Sequence, residues 1–344
     1  VRGPSSETPT EFKPNADLES NVVAKNTTGS NVSASRRASS VQVPACWDSV
    51  RIGGVLREYQ KAATCYEQSL VAARQQQNPV FEEQTLSNLG VTYFQLGEYA
   101  KALKAHEQQL AIAISRQDPT AKGQALVGLG TVFVALGNYE KAIEYYQESL
   151  QLIDGRNLPD WQGTALRNLG IAYISLKEYE KAISYQDESL KLALQYQDKR
   201  GEAQALGNLG IAYFSLGEYG KAIEYHQKHL QLMRQLKDGR GEGQALGNLG
   251  IAYHALEDYP KAIAYHQQHL AIAQKMGDRL ALAHAYNNLG EARYKNGDLV
   301  AATQNFRSGI EILDSIRAGL GDDDLNKVSL FDTQTFIYKN LQEV

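Results

Sequence analysis

The chain has 344 residues, 43% of them apolar, with 35 basic and 39 acidic side chains and a net charge of -4. That balance excludes recognition of nucleic acid or an anionic membrane through bulk charge, since both need a basic surplus. No apolar run is long enough to span a bilayer, and the two cysteines, Cys46 and Cys65, are too few for a disulfide framework or a zinc site.

Residues 1–44 are rich in Ser, Asn, Thr and Pro and show no hydrophobic period. Such a segment buries too little apolar surface to offset its ordering entropy, so a disordered leader is expected. The chain opens on Val1 rather than Met, and an N-terminus already trimmed is expected, with a cleaved secretory signal as one route. A single bridge between Cys46 and Cys65 would follow from an oxidising compartment; two reduced thiols are the preferred reading.

Residues 45–315 are periodic. A degenerate first repeat, LREYQKAATCYEQSL at 56–70, keeps the second half of the pattern. The pair Leu-Gly then recurs at 89–90, 129–130, 169–170, 209–210, 249–250 and 289–290, a period of forty residues in six full copies. Three residues after the Gly stands an aromatic (Tyr93, Phe133, Tyr173, Tyr213, Tyr253), replaced by Arg293 in the last copy. A turn such as LGEY follows, and then Lys-Ala from Lys101-Ala102 to Lys261-Ala262.

Leu, Gly and the aromatic share one helical face, and the Ala opens a second helix with its own apolar stripe. The small Gly and Ala are expected where two antiparallel helices approach closely. Gly97, Gly137 and Gly217 are expected to supply the left-handed backbone of the turn. Each repeat is therefore a helical hairpin whose outer apolar face is buried only by stacking on a copy of itself.

Small-Leu-Gly, an aromatic, a Gly turn and then Ala with an aromatic resemble the tetratricopeptide repeat (TPR). The forty-residue period resembles repeats of the Leu-Gly-Asn and kinesin-light-chain type and is cyanobacterial in character. The resemblance implies an all-α, right-handed TPR solenoid of antiparallel helical hairpins. Residues 316–344 carry the acidic stretch Asp322–Asp324 and one more amphipathic segment, expected to form a loop and a C-terminal capping helix.

Such stacking places the first helix of each hairpin on the inner wall. Two columns face that way: Asn88, Asn168, Asn208, Asn248 and Asn288, interrupted by Gly128, and beside it Gln84, Gln124, Gln204 and Gln244. A carboxamide donates and accepts at once, which suits the backbone of an extended peptide. In the resembling adaptors the matching Asn positions contact bound peptides; the competing reading has them bridging neighbouring helices. Phe214 and His254 belong to an adjoining, largely apolar floor, and Arg167 and Arg293 are candidates for clamping a client carboxylate, with plain solvated charge as the competing reading.

His226 and His229, and His266 and His269, recur at a spacing that could bring two imidazoles to one metal. Their place on the second helix favours packing instead. No nucleophile motif, phosphate-cradling loop or paired carboxylates appear, so a non-enzymatic protein is expected, with no cofactor. The chain also resembles the periplasmic, processing-associated TPR factors of photosystem II assembly. That implies a protein client, the C-terminal region of the D1 precursor, with membrane association only through the partner. Manganese binding and delivery, a cytoplasmic location and a regulatory arm of a larger signalling protein remain as alternatives.

Overall fold

The computed structural model describes residues 55–152 and 161–319, together with Ile337 and Asn340. The leader, Cys46 and Asp322–Asp324 lie outside the described residues. Among the described residues there are helices and no strand. They run as α1 (Val55–Gln75), α2 (Pro79–Gln95), α3 (Tyr99–Ser115), α4 (Pro119–Ala135), α5 (Tyr139–Gln151), α6 (Trp161–Ser175), α7 (Tyr179–Gln195), α8 (Lys199–Ser215), α9 (Tyr219–Leu236), α10 (Gly239–Ala255), α11 (Tyr259–Met276), α12 (Arg279–Lys295) and α13 (Leu299–Gly319).

The chain divides into two compact units, Val1–Tyr185 and Gln186–Val344, with the dividing line inside α7. In the first, α1 packs on the hairpin α2–α3, which stacks on α4–α5 and then α6. The second consists mainly of the hairpins α8–α9, α10–α11 and α12–α13.

The first helices α2, α4, α8, α10 and α12 begin on an Asx cap. Asn78, Asp118, Asp238 and Asp278 accept from the N–H groups of Phe81, Ala121, Gly241 and Ala281 at 3.0–3.1 Å. Each satisfies a donor the helix leaves open, a contribution of about 1 kcal/mol. Between the helices of a hairpin the left-handed residue is Gly97 (φ 72°), Gly137 (φ 72°), Gly217 (φ 86°) or Gly297 (φ 88°), as the sequence suggests. Lys177 (φ 62°) and Glu257 (φ 59°) hold the same conformation with a Cβ, at a cost of roughly 1 kcal/mol. Glycine is thus preferred in this turn and not required.

Ala102, Ala142, Ala222 and Ala262 are completely buried, as close helix approach demands. The Leu-Gly glycine has a different cause. A Cβ at Gly90, Gly210 or Gly250 would fall inside the ring of His106, His226 or His266, sixteen residues on. At Gly130 it would lie 2.6 Å from Tyr146, and at Gly290 2.7 Å from Phe306. The glycine is a notch that receives a ring from the partner helix. His106 sits between Gly90 of its own hairpin and Gly128 of the next, where a Cβ would be 2.5 Å away.

A second pairing runs beside the first. A Cβ at Gly207 would meet His229 at 3.2 Å, and one at Gly247 would meet His269 at 3.3 Å. In the last hairpin the volumes change places, with Asn287 on the first helix and Gly309 on the second. Around the rim, Phe133 stacks on Tyr145, Tyr173 on Tyr185, Tyr213 on Tyr225 and Tyr253 on Tyr265, with centroids 5.3–5.6 Å apart. The Lys of each Lys-Ala pair lies over the first-helix ring, at 4.3 Å from Phe133 and 5.1–5.2 Å from the tyrosines.

Ile337 is fully buried with Phe306, Ile310 and Leu313, and Asn340 donates from Nδ2 to Asn287 Oδ1 at 3.1 Å. Cys65 in α1 is disulfide-bonded, which corrects the preference for reduced thiols.

Replacing Gly250 by Ala is expected to cost about 1–3 kcal/mol by overpacking against His266. Adding His266→Ala should make the pair markedly less costly than the sum of the single changes, as read by urea unfolding of the four proteins of the cycle.

Candidate functional site

Side-chain exposure along α10 alternates with helical period. Gln244, Asn248, Ile251, His254 and Ala255 are half-exposed, while Ala245, Leu246, Gly247, Leu249, Gly250 and Ala252 are buried. The same stripe on α12 is His284, Asn288, Glu291 and Tyr294, and on α8 it is Gln204, Ile211, Phe214 and Ser215. In the first unit α2 presents Gln84, Asn88, Val91 and Phe94, and α4 presents Gln124, Gly128 and Thr131. The Gln column and part of the Asn column therefore line open helix faces, as expected from their spacing.

Two of the five asparagines do not. Asn168 is 2% exposed and donates from Nδ2 to Thr131 Oγ1 of the preceding hairpin at 3.2 Å. The Tyr146 hydroxyl approaches the same oxygen at 3.3 Å. Asn168 thus bridges hairpins, the competing reading, and Ile171 and Ile174 beside it are buried too. Asn208 is 1% exposed, and its Oδ1 finds no hydrogen-bond partner. Asn88, Asn248 and Asn288 remain half-exposed.

The two arginines do not form a clamp with this stripe. Arg167 is half-buried and donates from Nη2 to Thr164 Oγ1 of its own helix at 3.1 Å. Arg293 stands in register with Tyr213 and Tyr253, the residues that stack on the second helix, so it belongs to the rim column and not to the Asn face.

Phe214 and His254 pack against the tyrosine that opens the second helix, Tyr219 and Tyr259, at centroid distances of 5.2 and 5.3 Å. His254 Nε2 lies 3.9 Å from Glu291 Oε1 of the next hairpin. Burial lowers the pKa of His254 below the ordinary imidazole value, with Glu291 opposing and Lys295 adding to the shift. The imidazole is therefore neutral at pH 7.

The paired histidines lie elsewhere, in the ring notches. His226, His229 and His266 are buried, and burial lowers the pKa to about 3 for His226 and His266 and about 4 for His229 and His269. Among the described residues no three His, Cys, Asp or Glu side chains are grouped to hold a metal ion. A shallow cavity of about 590 Å³ opens between α9 and α11, lined by Gln227, Leu230, Gln231, Arg234, Gln235 and Tyr265. It lies on second helices, away from the carboxamide stripe. Sequence reasoning passed over it, although Gln227, Gln231 and Gln235 follow one another at four-residue spacing.

Stacked antiparallel hairpins with in-register notches and an open first-helix face define a helical repeat protein. A family model described as tetratricopeptide repeat matches residues 81–154, 123–195, 161–235, 201–275 and 241–315. The chain belongs to the tetratricopeptide repeat family.

No curated protein matches the chain. Solved structures do, among them BtubC from P. vanneervenii, at 20% identity and a TM-score of 0.57, covering 65% of this chain and 94% of that one. A signal-transduction ATPase with a tetratricopeptide repeat sensor from Pyrococcus horikoshii has 22% identity and a TM-score of 0.64, with 81% of this chain and 42% of that chain covered. A Rap protein in complex with competence and sporulation factor has 17% identity and a TM-score of 0.56, with 84% of each chain covered. At these identities the likeness establishes the fold. No helix among the described residues is long and apolar enough to cross a membrane.

Because the folded pKa of each paired histidine lies below the ordinary 6.5, protons bind the unfolded chain first. Their contribution to stability is complete above pH 6.5 and is lost as pH falls toward 4, on the order of 1–2 kcal/mol per imidazole by pH 5. Gln186, forty residues before His226, is fully buried, so Gln is a tolerated occupant of this column. His226→Gln with His266→Gln should flatten the decline in denaturation midpoint between pH 7 and pH 5. Calorimetric titration with Mn²⁺ is expected to show no stoichiometric uptake; uptake abolished by His226→Gln would restore the metal-carrier alternative.

Proposed function

We propose that the chain is a non-enzymatic protein-binding scaffold that holds an extended segment of a client along the open first-helix faces of its second unit, α8, α10 and α12. One observation carries the reading: Gln244, Asn248, Ile251 and His254 form a half-exposed stripe on α10, while Ala245, Leu246, Gly247, Leu249, Gly250 and Ala252 between them are buried. A carboxamide can pair with both the N–H and the C=O of an extended backbone, and the neighbouring Ile or Phe receives the client's side chain. Asn248, Asn288, Gln204, Gln244, Phe214 and His254 are the contact residues.

The sequence resemblance to photosystem II assembly factors supplies a finer version, in which the client segment is the C-terminal region of the D1 precursor and the compartment is the periplasm. The Cys65 disulfide supports an oxidising location.

Calorimetry of the full chain with a peptide spanning the D1 precursor C-terminus tests the reading. Asn248→Ala and Asn288→Ala should each weaken binding about ten-fold, near 1.4 kcal/mol, with helicity unchanged. Asn168→Ala should instead lower stability by about 1 kcal/mol and leave affinity alone, because it removes an interhelical hydrogen bond. Equal binding by wild type and the Asn248 and Asn288 variants would sink the proposal.

A further inference from the structure

The open stripe of the second unit is unusual in what it lacks. On α8 and α10 it reads Gln204, Ile211, Phe214, Ser215, then Gln244, Asn248, Ile251, His254, Ala255, with no Asp, Glu, Lys or Arg. His254 is uncharged at neutral pH because burial disfavours its imidazolium. Acidic and basic side chains enter the stripe on α12, as Glu291 and Lys295. One turn before Gln204 and Gln244, on the same face, stand the exposed Arg200 and Arg240, the latter with Nη2 3.8 Å from Asp278 Oδ2, while Glu202 and Glu242 pair with Lys199 and Arg234, each at 2.8 Å. Arg167 bonds its own helix and Arg293 stands in the rim column.

A charged client side chain lying over Gln204–Ser215 or Gln244–Ala255 would lose water and meet amides, apolar side chains, a hydroxyl and a neutral imidazole. An aliphatic or aromatic side chain there gains from burial, at about 25 cal/mol per Å² of apolar surface covered. We infer that the segment recognised across α8 and α10 is an uncharged extended peptide whose apolar side chains seat on Ile211, Phe214 and Ile251 while its backbone pairs with Gln204, Gln244 and Asn248. This rests on the peptide-groove reading above and adds the chemical class of the client. Between Gln204 and Ser215 and between Gln244 and Ala255 the stripe offers no charged clamp, so affinity there should depend little on salt.

Three labelled peptides of about twelve residues, capped at both ends, share alternating Leu and Val positions and carry Ser, Glu or Lys between them. Fluorescence anisotropy with the full chain, at roughly 50 and 500 mM NaCl, compares them. The Ser peptide is expected to bind at least about ten-fold more tightly than the other two, with a Kd that shifts less than about two-fold with salt. Ile251→Lys should weaken it by about ten-fold or more while Ile251→Val leaves it unchanged, both proteins retaining wild-type helicity. Tighter binding of the Glu or Lys peptide, weakened by salt and by Asn248→Ala, overturns the inference and leaves the groove standing. Binding indifferent to Asn248→Ala, or no binding by any of the three, overturns the groove as well.

Discussion

The seat of a ring in a glycine notch is the contact on which the rest of the structure depends. His226 over Gly210, His266 over Gly250 and Phe306 over Gly290 fix the height at which the second helix of a hairpin meets the first. A ring cannot slide past the Cβ atoms that flank its notch, so the hairpin has one register. The sixteen-residue step from notch to ring is therefore constant, and so is everything hung on it, including the stacked aromatics and the lysines above them. His106 shows the notch joining hairpins as well, since it serves Gly90 and Gly128 together.

That constancy is why the fold was legible from letters alone. Leu-Gly and Lys-Ala mark buried positions with little freedom to vary, and the helices fall where the period puts them. Other features were only half legible. Gly97 and Gly217 announced their turns, but Lys177 and Glu257 turn the chain equally without a glycine to show it. The Asx caps were written plainly as Asn78-Pro79 and Asp118-Pro119, a signal that helix-start reasoning could have used.

The site resisted reading for a different reason. Asn168 and Asn248 stand in the same string, Asn-Leu-Gly-Ile-Ala-Tyr, yet one is sealed and the other half-open. What separates them is the preceding hairpin, where the Thr131 hydroxyl accepts from Asn168 and is also approached by the Tyr146 hydroxyl. A column in one dimension does not reveal which of its members are used by their neighbours. Arg293 fails similarly: its letter suggests a ligand contact, while its register assigns it to the aromatic rim. Carboxamides are suited both to joining helices and to receiving a backbone, so one residue type serves stability in α6 and an open face in α10.

A pile of like bricks shows the same sticky surface at its last brick as at every joint, and head-to-tail addition of further molecules would extend it into a fibre. Ile337 on the Phe306 cluster and Asn340 on Asn287 occupy that terminal surface with the chain's own tail. The surface on which a further hairpin would stack is thereby occupied, which removes it as a site of head-to-tail addition.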